Sequence, residues 1–378
     1  MIRQGSELDT IRVSEIVPKL RGIAILSLIR MYRPEEQLFA FSLRKNGNSA
    51  VLDGVSRRYT ATVLVGLADE DLDVVKEVLG NHSREDVCRR LLQDMNEMKD
   101  LGEVALTTWA ARALRYSKAA TAVEALRRME PGLRPYSTME LSWALAALAI
   151  DSSEATDRSL ADSIAEVLLN SFNWETGVFA RWSTSCQVPK FRAHASCFAD
   201  FVYPIQALSH YHLATGSTKA IEVAIRCAER MCQLQGSEGQ WWWYYDARTG
   251  RVLERYPVYA VHQDAMAPMA LFALAKASAR NYSASIEKGL QWLVDPLEVP
   301  ESLIDSKRNI IWRKVARREP WRVVRGLQAA SSYLHQDLRV PGMDILFPPV
   351  SIDYETRPYH MGWILHTWLA DHSLELSN

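Results

Sequence analysis

Hydrophobic positions along this chain recur at helical spacing almost from end to end. Residues 11–31 predict a first helix, closed by Tyr32-Arg33-Pro34, and a second runs from Arg57 to about Leu67. Further helices are expected near 72–79, 84–97, 102–115, 119–129, 137–149, 156–170, 198–214, 217–234, 258–279 and 282–294. A last one, near 357–370, carries Trp363, Ile364, Trp368 and Leu369. Between the first two lies a mixed extended segment with a turn at Asn46-Gly47-Asn48, so 1–55 reads as a helix plus an extended stretch. Over 296–356 the pattern loosens, interrupted by Pro300, Pro320, Pro341, Pro348 and Pro349. Alternating, strand-like runs are nearly absent. The pattern predicts an all-α chain of one domain spanning 1–378.

The exception is an aromatic stretch. Trp241, Trp242, Trp243, Tyr244 and Tyr245 follow one another up to Asp246, and Ala247-Arg248-Thr249-Gly250 reads as a turn. Tyr256-Pro257-Val258-Tyr259 would return as an extended segment, making a short aromatic hairpin. Met266, Met269, Ala270, Leu271, Phe272 and Leu274 then share one helical face. His262, Gln263 and Asp264 would therefore stand at the mouth of that helix, facing a concave aromatic surface suited to a ring-rich or carbon-rich ligand.

Parts of the pattern repeat. Asn173–Phe179 has the form N-x-x-x-G-x-F and Gln235–Trp241 the form Q-x-x-x-G-x-W. Each is followed by a Tyr-Pro, Tyr203-Pro204 and Tyr256-Pro257, and then by an alanine-rich apolar helix. Helical units repeating at about 55–60 residues cannot bury their apolar faces alone, so they must stack or close into a ring. Closure into an α/α toroid, with the aromatic hairpin at one rim, is the expected fold.

Gln235–Trp241 resembles the QW motif of the squalene-hopene and oxidosqualene cyclase family, whose repeats tie the helices of such a toroid. The architecture is shared with six-hairpin glycoside hydrolases, uronate lyases, glucuronyl epimerases and sugar 2-epimerases. The stretches GQWWWYYD and YPVYAVHQDAMAPMAL also resemble a group of bacterial proteins associated with polysaccharide biosynthesis. The resemblance implies a toroid, and points toward carbohydrate without fixing the chemistry.

Charge narrows the field. Lys and Arg total 44 against 45 Asp and Glu, a net charge of −1, which argues against a general nucleic-acid binder. The five cysteines show no CxxC pair and no Cys/His zinc spacing, as expected of reduced thiols in a soluble cytoplasmic protein. Arg21 and Arg30 bracket the apolar run Ile23–Met31 too closely for a membrane span. No phosphate-cradling glycine loop appears, and no cofactor or metal is expected.

Candidate chemistry gathers at predicted helix starts. His262 beside Asp264 could transfer a proton near neutrality, although Asp264 could equally serve the helix dipole. By resemblance to lyase and epimerase toroids, Tyr259 could act with His262 on the proton alpha to a uronate carboxylate, while Arg or Asn neutralises that carboxylate. Tyr256 and Tyr259 could instead close the hairpin on the helix. Asp200 and Tyr203 occupy the corresponding place in the preceding repeat, after Arg192 and His194, so Asp200 and Asp264 could approach one cavity as the paired carboxylates of a glycosidase. Alternatively, Asp200 caps a helix. Trp241, Trp242, Trp243, Tyr245, Tyr256 and Tyr203 are candidate substrate-binding aromatics. Arg58, Tyr59, Glu103, Arg357 and His360, the last two flanking Tyr359, complete a rim where arginine forks would suit an anionic ligand.

Three functions are compatible with this pattern. A carbohydrate-active lyase, epimerase or hydrolase would act on an acidic glycan or glycan precursor. A terpenoid cyclase-like or prenyl-binding enzyme would use aromatic faces to stabilise carbocations, although no D-x-D-D acid or DDxxD magnesium site is present. A non-catalytic glycan-binding toroid is the third. The partner expected is a small molecule or oligosaccharide, and the oligomeric state is open.

Overall fold

The computed structural model describes residues 13–47, 49–150, 155–183, 193–318, 321–335, 338 and 340–369. Fifteen α-helices run through them: α1 (Val13–Met31), α2 (Arg57–Leu67), α3 (Leu72–Leu79), α4 (Arg84–Leu92), α5 (Leu101–Ala113), α6 (Ala119–Arg128), α7 (Thr138–Ala149), α8 (Ala155–Asn170), α9 (Ala199–Thr215), α10 (Thr218–Gln233), α11 (Ala267–Ser278), α12 (Ser283–Val294), α13 (Trp321–Leu334), α14 (Met343–Leu346) and α15 (Pro358–Thr367). Six of them, α2, α5, α7, α9, α11 and α15, pack each against the next and close a ring. The others lie outside: α6 on α5, α8 on α7, α10 on α9 and α11, α1 on α15. This is the expected α/α toroid.

The sequence explains which helix goes where. Inner helices are apolar all round, as in α7, where Leu141 through Leu148 are buried without a break. Outer α10 buries one stripe only, Ala220, Val223, Ala224, Cys227, Ala228 and Met231, and gives its other face to solvent. Side-chain caps fix where inner helices begin: Ser56, Asp100 and Ser137 accept from the backbone N–H three residues on, at α2, α5 and α7. The tightest crossing joins the two ends of the ring. Gly66 of α2 and Gly362 of α15 meet so closely that a Cβ on Gly66 would stand 2.2 Å from the Gly362 carbonyl oxygen.

Outer helices hand over to inner ones through small hairpins. Phe172-Asn173 pairs with Val178-Phe179, and the same two-residue pairing recurs at Tyr32-Arg33 with Leu38-Phe39 and at Ile304-Asp305 with Ile310-Ile311. In each, the residue just before the second strand has a positive φ: 51° at Gln37, 72° at Gly177 and 52° at Asn309. The Gln235–Trp241 stretch performs the same task without strand pairing. Its Gln235 amide donates to the carbonyls of Gly239 and Ser285, and a Cβ on Gly239 would lie 1.9 Å from the Lys288 carbonyl oxygen, so only glycine fits.

Three expectations are corrected. The aromatic hairpin pairs Tyr244–Asp246 with Arg251–Glu254 and with Ala195–Cys197, whereas Val258-Tyr259 pairs with Lys314–Ala316 in a different sheet. Tyr256 and Tyr259 still meet Trp242 and Trp243, but through ring contacts rather than strand pairing. The helix expected over 258–279 is interrupted, with a π-helical turn at His262–Met266 before α11. The loose segment 296–356 contains a hairpin, further strands and the 14-residue helix α13. Among the described residues, no helix is long and apolar enough to cross a membrane.

Candidate functional site

The first two turns of the inner helices surround a cavity of about 220 Å³ on the ring's axis. Arg58, Tyr59 and Thr62 come from α2, Leu106 from α5, Met139 and Trp143 from α7, Ala199 and Tyr203 from α9, Tyr359 and Trp363 from α15. Trp243, Tyr259, His262 and Met266 line it from the stretch entering α11, and Arg313 from the strand beside it. Several helix N-termini converge here, so their dipoles add a positive potential to that of the two arginines. The volume lies just below the roughly 300–1,000 Å³ of drug-sized sites. Its size suits a small molecule rather than a long polymer.

His262 is the one imidazole on this wall. Its ring lies parallel to Trp243, 5.6 Å between centroids, and within 4.4 Å of Phe198 and 5.0 Å of Tyr259. Burial among these rings pushes its pKa down to about 3, opposed by the Trp241 carbonyl and reinforced by His360, so the ring is neutral near pH 7. Nδ1 faces that carbonyl at 3.4 Å, a long contact that places the proton on Nδ1. The Nε2 lone pair is then left to the cavity.

The cations are held from behind. Arg58 donates to Asp100 and, at 3.3 Å, to Glu140, while Arg313 contacts Glu355 at 3.2 Å and Asp353 at 3.6 Å. None of these carboxylates lines the cavity, so the face presented inward is cationic. Arg313 and Lys314 also stand 5.4 Å from the Tyr259 ring centre. The Tyr259 phenol is raised by burial and lowered by Arg313, Arg325 and Arg357, with burial prevailing. It therefore keeps its proton. Tyr203 accepts from the Trp363 indole at 3.1 Å, and Tyr59 accepts from Arg357 at 2.6 Å.

Of the residues singled out from sequence, Arg58, Tyr59, Tyr203, Trp243, Tyr259 and His262 meet here, with Arg357 directly behind Tyr59. The others stand elsewhere. Trp241 is wholly buried against Gly289 and Phe198, and Trp242 packs edge-on against Tyr256. Tyr256 donates to Glu298, and the Tyr245 hydroxyl donates to the Trp242 carbonyl. Glu103 pairs with Arg57 outside the ring. Asp200 accepts from the Cys197 N–H at 2.8 Å and the Ser196 hydroxyl at 3.2 Å, bracing the entry to α9. Asp264 turns toward α15 and accepts from His360 at 2.7 and 2.9 Å. The two carboxylates thus do not converge on the cavity: each is satisfied by its own neighbouring element. Burial raises the pKa of both. His194 meets Ser332 at 2.8 Å, and Arg192 lies outside the described residues.

Trp143, Arg313 and Trp363 were not anticipated as cavity residues. Trp143 and Trp363 read as core positions of apolar helices, and Arg313 sits in the proline-interrupted stretch. A signal for Trp143 did exist: it stands six residues after the capping serine Ser137, within the same two turns as the other wall residues.

By sequence, the chain matches no protein-family profile and no curated protein. Its fold is close to solved toroids. It superposes on a cellobiose 2-epimerase from Bacillus thermoamylovorans with a TM-score of 0.61 and 9% identity, covering 93% of this chain and 98% of that one. A sugar epimerase from a ruminal bacterium gives 0.60 at 9% identity over 94% and 97%. An unsaturated glucuronyl hydrolase specific for heparin gives 0.59 at 12% identity over 94% and 95%. At such identities the likeness establishes the fold alone, an α/α toroid.

Proposed function

We propose that this chain is a carbohydrate-active enzyme that moves a proton on a single acidic sugar residue, as an epimerase or a lyase. The observation that carries the reading is the juxtaposition of His262, neutral and with Nε2 facing inward, with Arg58 and Arg313 in one aromatic cavity. The sugar's carboxylate would sit on the two guanidiniums, its ring against Trp243 and Trp143. His262 Nε2 would take the proton from the carbon alpha to that carboxylate, and the arginines would stabilise the enolate-like charge that develops. Tyr259 would then give its hydroxyl proton, either to the opposite face of the same carbon or to the leaving oxygen on the next one. The phenolate left behind would lie beside Arg313.

A neutral imidazole with so low a pKa is a weak base on its own. A carboxylate bound beside it supplies the counter-charge that an imidazolium needs, so the substrate itself would raise the pKa of His262. A hydrolase requires two carboxylates across the scissile bond; the positions of Asp200 and Asp264 favour the proton-transfer reading. The epimerase and glucuronyl hydrolase folds among the structural neighbours agree with a carbohydrate ligand.

The test is proton exchange. The protein is incubated in D2O with hexuronates and hexuronate-terminated oligosaccharides, and deuterium at the alpha carbon is followed by NMR. Incorporation that disappears in His262→Asn supports the reading. Polyprenyl diphosphates binding in the cavity while no acidic sugar binds or exchanges would sink it.

A further inference from the structure

Three consecutive buried residues, His262, Gln263 and Asp264, leave the chain in three directions. His262 faces the cavity. The Gln263 amide donates to the Tyr259 carbonyl at 3.1 Å and accepts from the Trp241 N–H at 3.3 Å. Asp264 reaches over to His360 on the neighbouring α15, which donates from Nε2 to both carboxylate oxygens. Successive side chains on a helix point about 100° apart, and the turn that carries these three, His262–Met266, is π-helical. The same α15 also binds the turn's backbone. Trp368 donates its indole N–H to the Asp264 carbonyl, and the Thr367 hydroxyl donates to the Ala265 carbonyl at 3.1 Å.

A buried ionisable pair is weak support for stability, since well-packed apolar side chains often serve as well. Ring closure alone therefore does not call for Asp264 and His360. Neither lines the cavity, so neither can touch a ligand there. What they do touch is the turn that presents His262. We infer that Asp264 and His360 are a positioning pair, which holds the π-helical turn so that His262 keeps Nδ1 on the Trp241 carbonyl and Nε2 in the cavity. This rests on the proposed function only in naming His262 as the group that takes the proton.

The experiment reads His262 directly, without ligand. Full-length protein labelled with ¹⁵N-histidine is examined by long-range ¹H–¹⁵N NMR, which separates the two neutral tautomers. In the wild type His262 gives the Nδ1–H form alone. Asp264→Asn and His360→Gln each convert it to a mixture of tautomers or displace its ring signals. Asp157→Asn is the control: it breaks a buried ion pair with Arg112 and Arg127 on the outer face of the ring and leaves the His262 signals in place. His262 signals that superpose on wild type in both Asp264→Asn and His360→Gln overturn the inference, as do equal displacements in Asp157→Asn. If Asp264→Asn does not fold, His360→Gln decides alone by the same criterion. With an exchange substrate in hand, the pair's variants lower kcat while KM holds, because neither residue meets the ligand. A wild type that exchanges no hexuronate, with the NMR displacements still present, refutes the proposed chemistry and leaves the positioning role intact.

Discussion

Replacing Gly66 by alanine tests how the ring closes and what the closure does for the cavity. A Cβ at this position would stand 2.2 Å from the Gly362 carbonyl oxygen and 2.9 Å from its carbon. Both are backbone atoms, so no side chain can rotate away, and α2 and α15 must separate by more than about 1 Å to restore ordinary contact. Overpacking of this kind costs roughly 1–3 kcal/mol, and a backbone–backbone clash belongs at the upper end. The same substitution has the opposite sign at Gly22, which lies on the exposed face of α1 with nothing within 4 Å of an added Cβ. There alanine removes backbone entropy from the unfolded chain and should stabilise by about 0.5–1 kcal/mol. Urea unfolding of both variants, compared at constant slope, measures the two effects. The seam also carries adjoining walls of the cavity, Arg58, Tyr59 and Thr62 on α2 and Tyr359 and Trp363 on α15. Gly66→Ala should therefore weaken ligand binding as well as stability, and Gly22→Ala should change stability alone. A Gly66→Ala protein within about 0.5 kcal/mol of wild type, an ordinary surface effect, would refute this account of the closure.

Three further outcomes are expected. Arg313→Met and Arg58→Met should each weaken binding of an anionic sugar about 10–100-fold, or roughly 1.4–2.8 kcal/mol, while affinity for a neutral sugar of the same shape is spared; calorimetric titration with the matched pair checks this. Glu298 accepts from Gln240, Tyr256 and Trp292, each at 2.9 Å, so Glu298→Gln strands at least one buried donor. It should cost about 1–3 kcal/mol in urea unfolding, with the Trp292 indole N–H shifted in NMR. His262 and His210 are held near 3 and near 4, below the ordinary histidine value of 6.5, so between those values the unfolded chain binds protons that the folded one refuses. Their contribution to stability is therefore lost as pH falls below about 6.5, by up to about 1.4 kcal/mol per pH unit for each group. Asp200 and Asp264, raised by burial, act in the opposite sense at lower pH. Unfolding measured from pH 7 to 4.5 should accordingly show a shallower acid loss in His262→Phe than in wild type, and equal slopes would count against a neutral His262.

Helices were legible because their signal is local. The expected limits of α2 and α3 match the structure, and most others shift by only a residue or two. Long-range pairings were not legible in the same way. The handover hairpins at 32–39 and 304–311 repeat a backbone shape without repeating residues, because Gln37 and Asn309 adopt the positive φ that Gly177 supplies in the copy visible by sequence. The tryptophan run shows the same limit on the site. Three adjacent indoles look equivalent in the chain, yet Trp241 and Trp242 go into packing and Trp243, at a bend in the chain, stands on the cavity wall. Arg313 reaches that wall through the pairing of Lys314 with Tyr259, which no local pattern announces.

These differences explain why several residues at helix starts gather at the cavity and why Asp200 and Asp264 do not meet there. The inner helices collect their N-termini at one end of the ring, so the inward-facing side chains of their first and second turns share one cavity. Arg58, Tyr59, Tyr203 and His262 were found that way. A carboxylate at the same kind of position has a competing partner close by, because first-turn N–H groups are unsatisfied and attract it. Asp100 accepts the first-turn N–H of Glu103, Asp200 accepts the Cys197 N–H just ahead of its helix, and Asp264 finds His360 on the neighbouring α15. Phenols, indoles and guanidiniums have no such claim on the helix start and are left to line the cavity. A site assembled at this end of a toroid therefore tends toward donors and aromatic faces, and the ligand it suits is one rich in acceptors. That is the physical reason the proposed ligand is an anionic sugar rather than a hydrocarbon.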